Sequence, residues 1–129
     1  MISPTKQGIR GIDKHGSGEF RASRGPGKLH RGVDFICIPG QDVFAPISGR
    51  IIREARPYAD GEFSGIVIEN TQITIKMFYL LPFRFLIGKK VGVGESVGQA
   101  QDIGKKYPGI IPHIHLEVDM IDPAILLGI

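Results

Sequence analysis

Residues 112–120 read PHIHLEVDM, an alternation strict enough to fix the local structure. Side chains at i and i+2 of a strand share a face, so Ile114, Leu116, Val118 and Met120 form one row and His113, His115, Glu117 and Asp119 the other. The apolar row is predicted to face a core and the polar row to face water, as in a half-buried antiparallel strand. Two histidines in the polar row fit either an ordinary wet surface or a ligand pair, and a second constellation is needed to decide between them.

The rest of the chain is punctuated for strands. Its 18 glycines and 9 prolines fall between short runs rich in Val and Ile, the pattern of many short strands joined by turns. GVDFICI (32–38) reads as a strand buried on both faces, and GRIIREARPY (49–58) as a strand with Arg50, Glu54 and Arg56 toward solvent. GIVIEN and ITIKMFYL flank Asn70-Thr71-Gln72 as a hairpin, and residues 89–104 add two short extended pieces. No long helix and no repeat is visible. The expectation is an all-β fold: one compact antiparallel β-sheet or sandwich domain over 1–129, with an irregular Gly-rich, basic arm at 1–29 and a β core at 30–129.

Composition narrows the function classes. The 129 residues, 42% hydrophobic and 22% charged, suit one globular core. MFYLLPFRFLI is broken by Pro82 and Arg84 and is far shorter than the roughly 20 residues of a membrane-spanning helix, so no span is expected. MISPTKQGIRGID lacks an apolar segment behind its charges, so no signal peptide is expected in this chain. Cys37 is the only cysteine, which rules out an internal disulfide and suits a small core residue. A net charge of +3 favours anionic surroundings weakly, and Arg21, Arg24, Lys28 and Arg31 cluster. No basic run is interleaved with stacking aromatics, so no specific nucleic-acid binding is expected. His15 lies between turn residues and receives no metal role.

The second constellation is HRGVD (30–34), which sets His30 and Asp34 four residues apart. A carboxylate inside GVDFICI is costly to desolvate unless a cation or hydrogen bonds compensate it. A turn histidine and a salt-bridged aspartate would satisfy the pattern, and so would a metal. Zinc accepts neutral imidazole and carboxylate, and a catalytic site commonly uses three protein ligands and leaves one position open. His30, Asp34 and one histidine of HIH make such a set.

HRGVD followed far downstream by HIHLE and then DP resembles the lysostaphin-type zinc peptidases, which act on peptidoglycan. DKHGSGEF, GVDFIC, VFAPISG, KMFYL and KKYPGIIPHIHLE resemble in particular the branch containing leukocyte cell-derived chemotaxin-2, and together they cover most of the chain from residue 9. The resemblance implies a compact antiparallel β domain with zinc in a groove. It makes His30, Asp34 and His115 the zinc ligands and His113 the base beside the metal. Glu117, two residues past His115, would orient the ligand imidazole or simply face solvent. Active members of the family carry a further histidine where this chain has Tyr79, whose hydroxyl would serve as an oxyanion donor.

The implied function is a cell-wall (peptidoglycan) endopeptidase-type domain that takes a peptide in its groove. The alternative is a catalytically silent, chemotaxin-like zinc module that binds a wall peptide or a protein partner, including as a component of a phage tail or another assembly. Secreted members of the chemotaxin branch use disulfides, whereas this chain has Ile12 and Ser17 near the first such region and lone Cys37 in the second. A bacterial or phage protein, extracellular, wall-facing or virion-associated, is therefore expected. Residues 80–87, with Leu80, Leu81, Phe83, Phe85, Leu86 and Ile87 crowded around Pro82, are expected either to cap the core or to pack against copies of the chain or a larger assembly.

Overall fold

The computed structural model describes residues 1–8 and 32–120, and those residues form two antiparallel sheets with only two single-turn 3-10 segments. In chain order the strands are β1 (Gly32–Ile36), β2 (Asp42–Phe44), β3 (Gly49–Ala55), β4 (Gly65–Glu69), β5 (Ile73–Phe78), β6 (Leu80–Pro82), β7 (Lys90–Val91), β8 (Ser96–Ala100) and β9 (His113–Met120). Six of them make one sheet in the order β1-β9-β5-β4-β3-β7, and three make a second in the order β2-β8-β6. The all-β expectation holds.

The β4–β5 hairpin forms where it was expected. Asn70 closes it: its Oδ1 accepts from the backbone N–H groups of Gln72 and Ile73, and its own N–H donates to the Ile73 carbonyl. An Asn side chain that mimics a backbone acceptor is a common way to hold such a turn. Gly65 opens β4 opposite Phe78, and a Cβ there would overlap the Met77 carbonyl oxygen. Only glycine lets the two strands approach this closely.

The apolar rows of the strands meet between the sheets. Ile66 and Ile68 of β4, Ile75 and Met77 of β5, and Ile114 and Leu116 of β9 pack with Val43 of β2 and Val97 of β8 in one buried cluster. Cys37 joins this core, and burial, with a smaller contribution from Asp102, pushes its thiol pKa up to about 12. The thiol is therefore an inert packing group.

Several local expectations are corrected. Strand β1 ends at Ile36 rather than running to Ile38, and Val33, Phe35 and Ile36 are only half-buried, because among the described residues β1 ends the sheet and pairs with β9 alone. Val118, assigned to the core row, is 38% exposed. The β1–β9 ladder stops at Gly32–Glu117, so no described β1 residue stands beside Val118. The polar row of β9 is not wet throughout: His113 is 3% exposed and Asp34, which pairs with His115, 2%, whereas Asp119 is exposed. In β3 the register shifts between Ile51 and Arg53, a bulge that turns Ile52 outward.

Residues 1–8 of the expected arm are docked. Ile2 N–H donates to the Pro46 carbonyl, Phe44 N–H to that of Pro4 and Ile36 N–H to that of Gly8. The rest of the arm, with His15, the basic cluster and His30, lies outside the described residues, as does the stretch from Ile121 onward.

Residues 80–87 cap the core only in part. Leu80 and Leu86 are buried, whereas Leu81 and Phe85 are exposed, Phe85 at 71%. Pro82 ends β6, which lies at the edge of its sheet, where a missing N–H costs least. No helix among the described residues is long and apolar enough to cross a membrane.

Candidate metal and peptide site

The site is a row of side chains across three strands. β9 lies between β1 and β5, and the register sets Asp34 opposite His115 and His115 opposite Phe78. Directly opposed residues share a face, so the three side chains stand side by side. His113 lies two residues further along β9, opposite Ile36.

Hydrogen bonds orient the two imidazoles differently. His113 Nδ1 is 2.7 Å from the Ile111 carbonyl oxygen. A carbonyl only accepts, so Nδ1 carries the proton and Nε2 is the basic nitrogen of the neutral ring. Nε2 is turned toward Asp34, 3.5 Å from Oδ2, outside ordinary hydrogen-bond length. His115 is held at both ends: Nδ1 is 2.7 Å from Asp34 Oδ1 and Nε2 is 3.1 Å from Glu117 Oε1. Phe78 stacks on the His115 ring, with centroids 5.8 Å apart and planes 5° from parallel. Burial, the largest single influence on the His115 pKa, pulls it down, but Asp34 and then Glu117 together outweigh it and leave the pKa above 6.5.

Tyr79 closes the site from the β5–β6 junction. Its ring meets His113 edge to face, at 5.4 Å between centroids and 85° between planes. Its backbone is in the left-handed region, with φ of 76°, a conformation that is costly for a bulky residue and that gathers at functional positions. Its hydroxyl is 3.0 Å from that of Tyr58, and the Tyr107 hydroxyl donates to Tyr58 at 3.1 Å. All three tyrosines of the chain thus form one hydroxyl chain beside His113. Burial first, then the hydrogen bonds with Tyr107 and Tyr79, raises the Tyr58 pKa well above its ordinary value. The Lys106 ammonium lies 4.2 Å over the Tyr58 ring and pairs with Asp60 at 3.3 Å.

The structure therefore brings together Asp34, His113, His115, Glu117 and Tyr79, while His30 lies outside the described residues. Sequence reasoning did not single out Tyr58, Tyr107 or Phe78. Phe78 could have been found as the next residue along the strand that ends in Tyr79. Tyr58 and Tyr107 sit in separate loops, and no spacing signal links them.

The donors suit zinc in type. A carboxylate oxygen and an imidazole nitrogen face one another in a buried setting, and the second nitrogen of that imidazole is engaged by a carboxylate, the usual arrangement around a metal-ligating histidine. Among the described residues no group of three or more His, Cys, Asp or Glu side chains is placed to hold a metal ion, so a complete set needs a further ligand.

Comparison with known proteins places the chain. No family model matches it. It is 38% identical over 122 residues to leukocyte cell-derived chemotaxin-2 of Bos taurus, covering 92% of this chain and 79% of that protein. Among solved structures it is similar to the catalytic domain of the antimicrobial peptidase lysostaphin from Staphylococcus simulans, with a TM-score of 0.58, 23% identity and coverage of 91% of this chain and 92% of that one. It is also similar to a zinc-containing peptidase from Vibrio cholerae, with a TM-score of 0.61, 22% identity and coverage of 92% of this chain and 37% of that one.

Proposed function

Because the chain belongs to the leukocyte cell-derived chemotaxin-2 family, built on the lysostaphin-type peptidase fold, we propose that it is a zinc-binding peptidase-type domain that takes a peptide of the bacterial wall across the β1-β9-β5 face and hydrolyses it. The observation that carries this reading is the His113 ring: its Nδ1 proton is committed to the Ile111 carbonyl and its Nε2 is aimed at the buried Asp34–His115 pair. His30, Asp34 and His115 would hold the metal. The name of the Vibrio protein, a zinc-containing peptidase on the same fold, supports zinc as the metal.

When bound, zinc supplies a Lewis acid beside the scissile carbonyl and lowers the pKa of water at the site to about 7. The residues of the chain do the rest. His113 Nε2 takes the proton released as water attacks, which leaves an imidazolium beside the Asp34 carboxylate, and gives that proton to the amine as the C–N bond breaks. Glu117 holds the Nε2 proton of His115 and so fixes which nitrogen of that ring faces Asp34. Phe78 keeps the ring in plane. Tyr79 donates its hydroxyl to the carbonyl oxygen as negative charge grows there, and the Tyr107-to-Tyr58 hydrogen bond leaves the Tyr58 proton for the Tyr79 oxygen.

One observation favours a second reading, a module that keeps zinc and binds peptide without turnover. The Tyr79 phenol is locked into a tyrosine network, at the position where the sequence resemblance implies a histidine in active members of the family. A phenol with an unperturbed pKa of about 10 is no base at neutral pH. Metal analysis of the purified protein beside a peptidoglycan-digestion assay separates the two. Zinc with digestion supports the hydrolase, zinc with peptide binding and no digestion supports the module, and no zinc refutes both.

A further inference from the structure

Tyr79 holds a backbone conformation that an L-residue rarely adopts, and the hydrogen bonds around it form a closed circuit through two other segments. Tyr79 N–H donates to the Ser64 carbonyl at 2.8 Å, and Leu80 N–H donates to the same oxygen at 3.2 Å. The N–H of Ser64, a buried residue just before β4, donates to Gln101 Oε1 at 2.9 Å. Gln101 N–H, just after β8, donates back to the Tyr79 carbonyl at 2.8 Å. Gln101 Nε2 donates to the Glu62 carbonyl at 3.2 Å and steadies the segment that carries Ser64 from its other end. Both backbone polar groups of Tyr79 are thus engaged by residues tied together through one glutamine side chain. Phe63, between the two residues that Gln101 grips, packs edge-on against the Tyr79 ring with centroids 6.0 Å apart.

We propose that Gln101 is a positioning residue for the site: through Ser64 it holds Tyr79 in its left-handed conformation and so keeps the phenol edge on His113. The proposal rests on the reading of Tyr79 as a site residue. A strained residue persists only where its surroundings over-determine it, and the Gln101–Ser64–Tyr79 circuit supplies that constraint. Without the side chain the buried Ser64 N–H loses its acceptor, Ser64 shifts to find another, and the two N–H groups on its carbonyl shift with it.

A double-mutant cycle tests this. Glycine adopts positive φ without strain, so Gln101→Ala should lower the urea midpoint less in a Tyr79→Gly background than in the parent, by about half or less. Equal losses in the two backgrounds would overturn the proposal, because they would mean that Gln101 stabilises the fold without acting on Tyr79. Near-ultraviolet circular dichroism gives a second readout, since the chain has no tryptophan and its three tyrosines all belong to the network. Gln101→Ala should lose much of the tyrosine band, and so should Gln101→Met, which keeps the length of the side chain but offers Ser64 no oxygen; a retained band in either would overturn the proposal. If Gln101→Ala does not fold, Gln101→Met decides alone: a retained band overturns the proposal and a lost one supports it. Neither measurement needs turnover or metal, so a failure to digest peptidoglycan would count against the proposed function and leave this result standing.

Discussion

Asp34→Ala in metal-free protein tests the centre of the site and has a pH signature. In the parent, Asp34 holds His115 Nδ1 at 2.7 Å, and the pair is almost wholly buried. Folding raises the His115 pKa above 6.5, so the folded state binds that proton more tightly than the unfolded chain. The resulting stabilisation is complete below pH 6.5 and is lost as pH climbs through the raised value. At pH 5.5 the variant should lose a charge-assisted bond between buried groups, about 3 kcal/mol. As pH climbs past the raised value, His115 becomes neutral in both states and the loss falls toward about 1.5 kcal/mol, one hydrogen bond to a carboxylate. With a urea slope of about 1.5 kcal/mol/M, the midpoint difference should shrink from about 2 M to about 1 M. Denaturation in chelator at pH 5.5 and at intervals above it measures it. A gap that is constant, or that widens with pH, would refute the assigned pairing. Zinc added at 100 times its dissociation constant should then raise parent stability by about 2.7 kcal/mol and leave Asp34→Ala unmoved. An equal rise in both would place the metal elsewhere.

Three further outcomes are expected. His115→Ala should lose zinc on dialysis, whereas His113→Ala should keep it and lose any hydrolysis, and equal metal loss would make His113 a ligand. Tyr79→Phe should cost about 1 kcal/mol by removing a hydroxyl from the Tyr58 network; where hydrolysis is measurable, turnover should fall about 10- to 1000-fold with substrate affinity little changed, and an unchanged rate would show the hydroxyl to be a bystander. Phe85→Asp should leave stability within about 0.5 kcal/mol and zinc content unchanged, because Phe85 is 71% exposed; its ring stacks on Phe83 with centroids 5.9 Å apart, and a larger loss in urea denaturation would mean that this contact supports the core.

What the sequence disclosed and what it withheld have the same cause. Alternation reports which residues share a face, and that is a property of one strand. It therefore grouped His113, His115 and Glu117 correctly and put Ile114 and Leu116 in the core. How wet a face is depends on what lies over it. The polar row of β9 is covered by Tyr79 at His113 and by Phe78 at His115, both arriving from β5 and its junction with β6. The chemistry of Asp34 was readable because a carboxylate in an apolar run demands a partner, whichever strand supplies it. Tyr58 and Tyr107 carry no such demand and blend with ordinary loop residues. The bulge at Ile52 was equally hidden, since GRIIREA fits an unbroken strand until β4 fixes the register.

The place of β9 also governs when the site can come into being. Its two central groups, Asp34 and His115, are 81 residues apart in the chain, and the last strand of the described sheet slots between the first and the fifth. The β3–β4 and β4–β5 pairings close short loops and can form early, whereas joining β1 to β9 closes a long one and carries the larger entropic cost. A nascent chain still lacking residues 113–120 would hold Asp34 with no imidazole opposite it. Metal affinity would then arise in a single step with the closing of the sheet, and a metal-sensitive signal during refolding would time the arrival of β9 rather than the collapse of the core.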